Sequence, residues 1–484
     1  MTDIRTRNFS TVLVLLAVTA FCLFAALPGT AEAAGNSRVV TYPMPDADDL
    51  LSEDYDVEVS GEEVGVYRAE TNDHPIEDSD YGGPYSFVQF DFSGTVTVTV
   101  RADRDLRNAI MRPLSEDIEV RTPDKNTAQF TLQEPCRLSF EPDGEQQPLL
   151  VFANPVQQKV PEKDAPGVTY FGPGVHRPEG DVVTLDDGET LYLAGGAVLR
   201  AGIRVQGDNV TVRGRGIVDG TPWPWRKGPT GTLFVMDGRR NVTIRGIIVR
   251  GSPHWTIVPR GCENVTVRNV KICNSRVQND DGINPCNSRN VRIEDCFIRS
   301  DDDCIAIKGL KREWGDVEDI VIEDTVLWVD RARVTLLGHE SRAEHMRNIT
   351  YRNIDIIHAA SLPIFLLEPG EDMVLSNVTF KNIRVNGNRS PGGGGDYLAV
   401  VRPTVNRYMD KKVPGHIRDI VFHDITVQGG SGPNPVLVSG RDETHRTANV
   451  TFRNVRVRET TLEAGLERVK LGKWIDDIVF TSDK

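Results

Sequence analysis

Positive charge is in short supply. The 484 residues carry 56 Lys and Arg against 70 Asp and Glu, a formal net charge of -14. A nucleic-acid partner needs a basic face, so this balance argues against one. Long apolar runs are scarce too, and none of spanning length follows the N-terminal segment. Cysteine is sparse, and the seven residues include no Cys-x-x-Cys and no paired His spacing. That argues against a zinc site, and neither metal nor cofactor is expected. Aromatics are held to 7%, while glycine is plentiful at 43 residues, a soluble and turn-rich composition.

The N-terminus reads as an address. Arg5 and Arg7 precede an apolar run from Val12 to Gly29, followed by TAEAAG, whose small residues suit a signal peptidase near Ala33 or Ala34. A membrane anchor is the competing reading, but the run is short and ends in Pro-Gly. Residues 1–34 are assigned to a signal peptide and the mature chain to a secreted or periplasmic location. No membrane contact is expected after its removal. Cys22 leaves with that segment. Of the rest, Cys136 stands apart, and Cys262, Cys273, Cys286, Cys296 and Cys304 fall within 43 residues. They read as buried small hydrophobes, with one disulfide left open for an exported protein.

What the sequence does have is a repeat. NVTVRGRGIVDG at Asn209 recurs as NVTIRGIIVRGS at Asn241, NVTVRNVKICNS at Asn264 and NVRIEDCFIRSD at Asn290, and further copies start at 319, 348, 377, 419, 449 and 477. The spacings run from 23 to 32 residues, with one of 42. Each copy alternates apolar and polar residues and is rich in β-branched side chains, which makes it a strand. A second strand-like run, such as GINPCN, CIAIKG, TLLGHE or IFLLEPG, precedes each following copy. Short strands repeated at this period stack coil on coil into a parallel β-helix, with a rise of about 4.8 Å per coil. The leading Asn or Asp is expected in a turn, its side chain bonding the backbone of the next coil. Residues 35–160 differ, with alternating strands broken by Gly, Asp-Lys-Asn and Pro-Asp-Gly, and are assigned to an antiparallel β-sandwich. The β-helix is assigned to residues 161–484, making the whole chain all-β.

Two acidic clusters stand out against this frame: QNDDGINP carries Asp280 and Asp281, and SDDDCIAIKG carries Asp301, Asp302 and Asp303. Asp281 enters the GINP strand and Asp303 the CIAIK strand of the next coil, so the two should lie about 5 Å apart along the stack. Asp302 joins them from the other side of the strand entrance. Repulsion among close carboxylates raises the pKa of at least one and keeps it protonated. A protonated acid beside an ionised carboxylate is what glycosidic cleavage requires. Calcium binding or a solvated turn is the alternative for either cluster alone. Alternation turns Asp280 and Asp301 elsewhere, so their loss should be mild. The same register adds Trp255 and Arg260 one coil earlier, Lys308 beside the second cluster, then His339, Glu340, Glu368, Arg402 and Arg441 in later coils. Such a column reads as a cleft along the stack for a chain-like ligand. The loop NRSPGGGGDY, Asn388 to Tyr397, is a candidate wall.

SPHWTIVPRGCENVTVRNVKI, NDDGINPCNSRNVRIEDC and SDDDCIAIK resemble the family 28 glycoside hydrolases, the polygalacturonase group. The resemblance implies a right-handed parallel β-helix and hydrolysis with inversion. The family's Asn-Thr-Asp-Gly corresponds to Asn279-Asp280-Asp281-Gly282 and its Asp-Asp-Cys to Asp302-Asp303-Cys304. Asp302 then resembles the general acid, and Asp281 and Asp303 the pair that activates water. Asn279 belongs to the same motif and is counted among the substrate-binding residues. Two family motifs are missing. Asp330-Arg331-Ala332-Arg333 stands where Gly-His-Gly is expected, and SLPIFLLEPG holds no cation in place of Arg-Ile-Lys. Without that grip on a carboxylate, a preference for neutral chains is expected. The order of sandwich and β-helix is also similar to family 49, the dextranases and isopullulanases.

The resemblance and the aspartates together imply an exported monomeric glycoside hydrolase acting on a polysaccharide or oligosaccharide. A carbohydrate-binding β-helix without catalysis, and a uronate lyase or epimerase, remain the alternatives.

Overall fold

Within the repeat, Asn209, Asn241, Asn264 and Asn290 all have positive φ, between 51° and 58°. Asn and Asp tolerate this left-handed backbone better than other side chains, which explains why they open each copy. Each Asn side chain donates to the preceding coil's: Asn241 Nδ2 to Asn209 Oδ1 at 2.8 Å, Asn264 to Asn241 at 2.9 Å, Asn290 to Asn264 at 2.6 Å. The sequence reading expected a bond to backbone. The side chains instead pair with one another, because identical residues in register meet at the coil spacing. A second ladder runs through Asp324, Asn353 and Asn382.

The computed structural model describes residues 37–72, 81–359, 362–387, 397–430 and 432–483. The signal-peptide segment lies outside them, as does the loop from Asn388 up to Tyr397. Among the described residues no helix is long and apolar enough to cross a membrane.

The chain forms a right-handed parallel β-helix behind a β-sandwich. One long solenoid sheet has 19 strands; opposite it stand a sheet of four, from Val182–Leu185 to Ile257–Arg260, and a sheet of six, from Ile305–Gly309 to Val469–Leu471. Bridges Ile257↔Ile283↔Ile305 join these two shorter sheets through the GINPCN coil. Inside the stack, Phe380, Phe422, Phe452 and Phe480 stack ring on ring with centroids 4.8–4.9 Å apart, which is the strand spacing.

The sandwich pairs a sheet of six strands with one of five. It is not wholly antiparallel: Leu149–Pro155 runs parallel to Tyr85–Ser93. Tyr85–Ser93 is buried at all but its last residue. One of its faces meets the second sheet. From the other, Tyr85 and Phe87, with Phe152 beside them, join Ile248, Phe297 and Trp328 of the solenoid in one apolar cluster. A strand covered on both faces loses strict alternation. The six described cysteines are all buried and free, so they act as small hydrophobes.

Candidate active site

The GINPCN coil sets the register of the acidic clusters. Gly282 N donates to Asp303 O at 2.9 Å, and Ile283 bridges Ile305. Asp281 and Asp303 therefore enter adjacent strands one coil apart. Gly282 permits this approach, since a Cβ there would meet Cys304 O at 2.5 Å.

The five aspartates divide by direction. Asp281, Asp302 and Asp303 line a cavity of about 700 Å³. Asp280 and Asp301 turn away and are fully buried. Asp280 accepts from Ser275 N and from Asp301 N, both at 2.7 Å, bracing one coil against the next. Asp301 accepts from Tyr81 Oη at 2.6 Å and from Arg331 Nη2 at 2.7 Å. Behind it Arg299, also fully buried, pairs with Asp330 at 2.8 Å and donates to Tyr81 O at 2.7 Å. The sandwich thus reaches the back of the acidic cluster through Tyr81.

Cations interleave with the carboxylates facing the cavity. Arg331 reaches Asp302 at 3.2 Å, Arg333 reaches Asp303 at 3.2 Å, and Lys308 lies 3.7 Å from Asp281 and 3.6 Å from Glu340. Lys308 also sits over the Trp255 ring at 4.2 Å. Burial alone would discharge it, but Glu340, Asp281 and Asp303 outweigh burial and raise its pKa. Asp281 is the reverse case. Burial first, and the charge of Asp302 second, push its carboxyl well above the usual range, against the pull of Lys308. Its Oδ2 accepts from Asn284 at 2.8 Å, while the buried Oδ1 has no hydrogen-bond partner among the described residues. His254, stacked on Trp255 at 5.5 Å, is depressed to about 4 by burial and by Arg226 and Lys308.

Asn279 links the cluster to the rim, donating to Asp302 Oδ2 at 2.8 Å and accepting from Arg226 at 3.0 Å. Trp255, Asn279, Lys308, His339 and Glu340 all line the cavity. Glu368 and Arg402, paired at 3.0 Å, line an adjoining cavity of about 410 Å³ that shares Arg333 and His339 with the first. Two expected members are not brought in. Arg260 turns to Asp237 at 3.4 Å and lines neither cavity, because that carboxylate lies beside it in the preceding coil. Arg441 lines neither as well. Size alone does not mark the site. A cavity of about 720 Å³ on the sandwich is lined by exposed Glu119, Arg121 and Glu134, without a buried carboxylate cluster.

Sequence reasoning missed several members. Arg331 and Arg333 stand in the sequence only where the family's Gly-His-Gly is missing, which does not mark them as partners of the aspartates. Trp225 and Arg226 come from the loop TPWPWRKGPT, and Arg407 and Tyr408 from the loop between Val401 and His416. A signal was present, since these loops fall within the 32-residue and 42-residue spacings of the repeat. Extra chain within a coil has to leave the stack, and here it rims the cleft.

Residues 201–473 match the family described as Glycosyl hydrolases family 28, more than half of the chain. The chain belongs to that family. Among curated members of the polygalacturonase group it is 33% identical over 119 residues to a "Probable polygalacturonase" of Vitis vinifera, covering 23% of each chain. It is 22% identical over 244 residues to an "Endo-polygalacturonase" of Pectobacterium carotovorum subsp. carotovorum, covering 48% of this chain and 54% of that one. The chain thus spans about a quarter to a half of the length of these family 28 relatives. Among solved structures, Dex49A from Penicillium minioluteum aligns over 90% of this chain and 96% of its own, with a TM-score of 0.64 at 14% identity, a likeness of fold.

Proposed function

We propose that this family 28 chain is an exported enzyme that hydrolyses O-glycosidic bonds of a polysaccharide or oligosaccharide with inversion. The observation that carries the reading is the convergence of Asp281, Asp302 and Asp303 on one cavity from two adjacent coils. Asp302 gives its proton to the leaving oxygen. Asp281 and Asp303 hold and activate the water that attacks the opposite face. Trp255 lines the cavity and holds Lys308 beside Asp281, and Asn279 orients Asp302. A cleft of two adjoining cavities suits an extended glycan rather than a compact ligand.

The charge pattern favours an acidic sugar. Lys308, Arg331 and Arg333 each face a carboxylate already present. Arg226 and Arg407 line the same cavity with no acidic partner among the described residues, and can meet a carboxylated ring. This runs against the neutral preference expected from the missing Arg-Ile-Lys. The curated relatives named polygalacturonases support the acidic reading. Faster turnover of neutral glycans than of polygalacturonate would remove it. Inversion is read by NMR from the first anomer released.

A second assignment of the acid rests on Asp281, whose carboxyl faces the cavity and is pushed up by burial. In that version Asp281 donates and Asp302 activates water. Aryl glycosides with an activated leaving group separate the two, because they need no proton. Such a substrate should rescue Asp302→Asn and not Asp281→Asn. The opposite pattern assigns the acid to Asp281.

A further inference from the structure

Three side chains far apart in sequence meet at one corner of the C-terminal coils. Asp372 lies in the turn before the strand Val374–Val385, His416 opens the strand His416–Val427, and His445 lies just before the strand Thr447–Val457. The parallel register pairs Val374 with His416 and Ile417 with Thr447, so the three come from successive coils. One ligand atom from each lies within 4.8 Å of the other two.

Hydrogen bonding decides which nitrogens face the gap. His445 Nδ1 lies 2.8 Å from Asp442 Oδ1, and since an ionised carboxylate only accepts, Nδ1 donates. Nε2 keeps its lone pair and points toward Asp372 Oδ1 at 3.6 Å, beyond hydrogen-bond length. The His416 ring lies beside that of His445, with centroids 4.9 Å apart. Metal-bound imidazoles are held as His445 is, with the far nitrogen fixed by a carboxylate or a carbonyl.

We propose that Asp372, His416 and His445 bind a divalent transition-metal ion of the Zn²⁺ type, with Asp442 as the positioning residue. Two imidazoles and one carboxylate suit such an ion, whereas Ca²⁺ and Mg²⁺ take oxygen-only sets. Bonds of about 2.0–2.1 Å in a tetrahedron place donors about 3.4 Å apart. The His445–Asp372 pair is already near that spacing. The half-exposed Asp372 carboxylate gives the ion a way in and leaves a position for water. The comparable group His423, Asp424 and Asp483 is committed otherwise, because Arg453 and Asn454 hold Asp483.

The ion would tie three coils together at the base of a cleft loop. Asp372 N donates to Pro414 O at 3.1 Å, and the neighbouring Glu371 carboxylate accepts from Asp410 N and Lys411 N. That loop carries Arg407 and Tyr408 into the cavity. An ion bound only by the folded chain raises its stability by mass action.

The test is calorimetric titration of Zn²⁺ into the untagged, chelator-stripped full chain, repeated with Co²⁺ to read its visible spectrum. One ion per chain is expected, with a four-coordinate Co²⁺ spectrum and a melting temperature that rises with metal. Asp372→Asn, His416→Gln and His445→Gln should abolish binding. Asp442→Asn should keep the stoichiometry and weaken affinity by about 10–100-fold. Should a histidine variant fail to fold, Asp372→Asn carries the test, since its side chain is exposed. The absence of saturable binding overturns the proposal. So does binding that survives Asp372→Asn, or binding lost on His423→Gln instead.

Discussion

Arg331 joins two aspartates of opposite character: its Nη2 stands 2.7 Å from Asp301 Oδ2 and 3.2 Å from Asp302 Oδ2. One guanidinium therefore couples a fully buried carboxylate to one that faces the cavity. Arg331→Gln should leave Asp301 with Tyr81 and no counter-charge. Because Arg331 is itself partly solvated, the stability loss should be on the order of 2 kcal/mol, below the range for fully buried pairs. Freed from its clamp, Asp302 should lose position and kcat should fall by about 100-fold. Arg331→Lys should not restore kcat, since an ammonium lacks the planar Nε and Nη2 pair that holds Asp301 while Nη2 also reaches Asp302. Urea unfolding and steady-state kinetics measure both effects.

Asp280→Asn and Asp302→Asn should fail in different ways. Asp280 accepts a backbone N–H on each oxygen, from Ser275 and from Asp301. An asparagine can accept at only one and turns an N–H₂ on the other, a loss of about 1–3 kcal/mol. In activity this substitution should be milder than Asp302→Asn, because alternation points the Asp280 side chain away from the cavity. Asp302→Asn should unfold like the parent while kcat drops by about 10²–10⁴-fold.

Asp281→Asn should make the protein more stable and less active. Burial and Asp302 raise the folded pKa of Asp281 above its unfolded value. Its ionisation therefore weakens the fold, and stability is lost as pH rises from about 3.9 toward the folded pKa. The variant should melt higher than the parent at neutral pH and equally below about pH 3.9. Lys308 keeps Glu340 at 3.6 Å as a partner, so the substitution strands no charge. Equal melting temperatures at neutral pH would contradict this account.

His358 should give the fold an alkaline limit. It sits between solenoid and sandwich, 2.8 Å from Glu141 and 3.3 Å from Glu145. Burial lowers its pKa, but the two glutamates prevail and raise it to about 9. A raised histidine contributes its stability below its unfolded pKa of about 6.5 and loses it as pH climbs through about 9. The change should be on the order of 3 kcal/mol across that window. Chemical denaturation at stepped pH should show this slope in the parent and not in His358→Gln.

The repeat and its consequences were legible in the sequence. Period-two alternation named the strands, and the Asn or Asp at the head of each copy marked a turn, which the structure holds in the left-handed region. Because coils stack in register, the distance in sequence between Asp281 and Asp303 sufficed to place them side by side. That reasoning is local and additive, one coil upon the next. The rest was decided by tertiary structure, because it depends on where chain outside the regular coil travels. Tyr81 reaches Asp301 only because the sandwich packs its Tyr85–Ser93 strand on the solenoid. Arg226 and Arg407 arrive on loops whose lengths mark them as insertions without saying where their tips lie. The corner of Asp372, His416 and His445 shows the same division. No short spacing announces it, and the metal-ligand patterns legible in a sequence are short ones. Residues 29 or more apart become neighbours only when each falls at the same turn of its own coil, which the register of the folded stack determines.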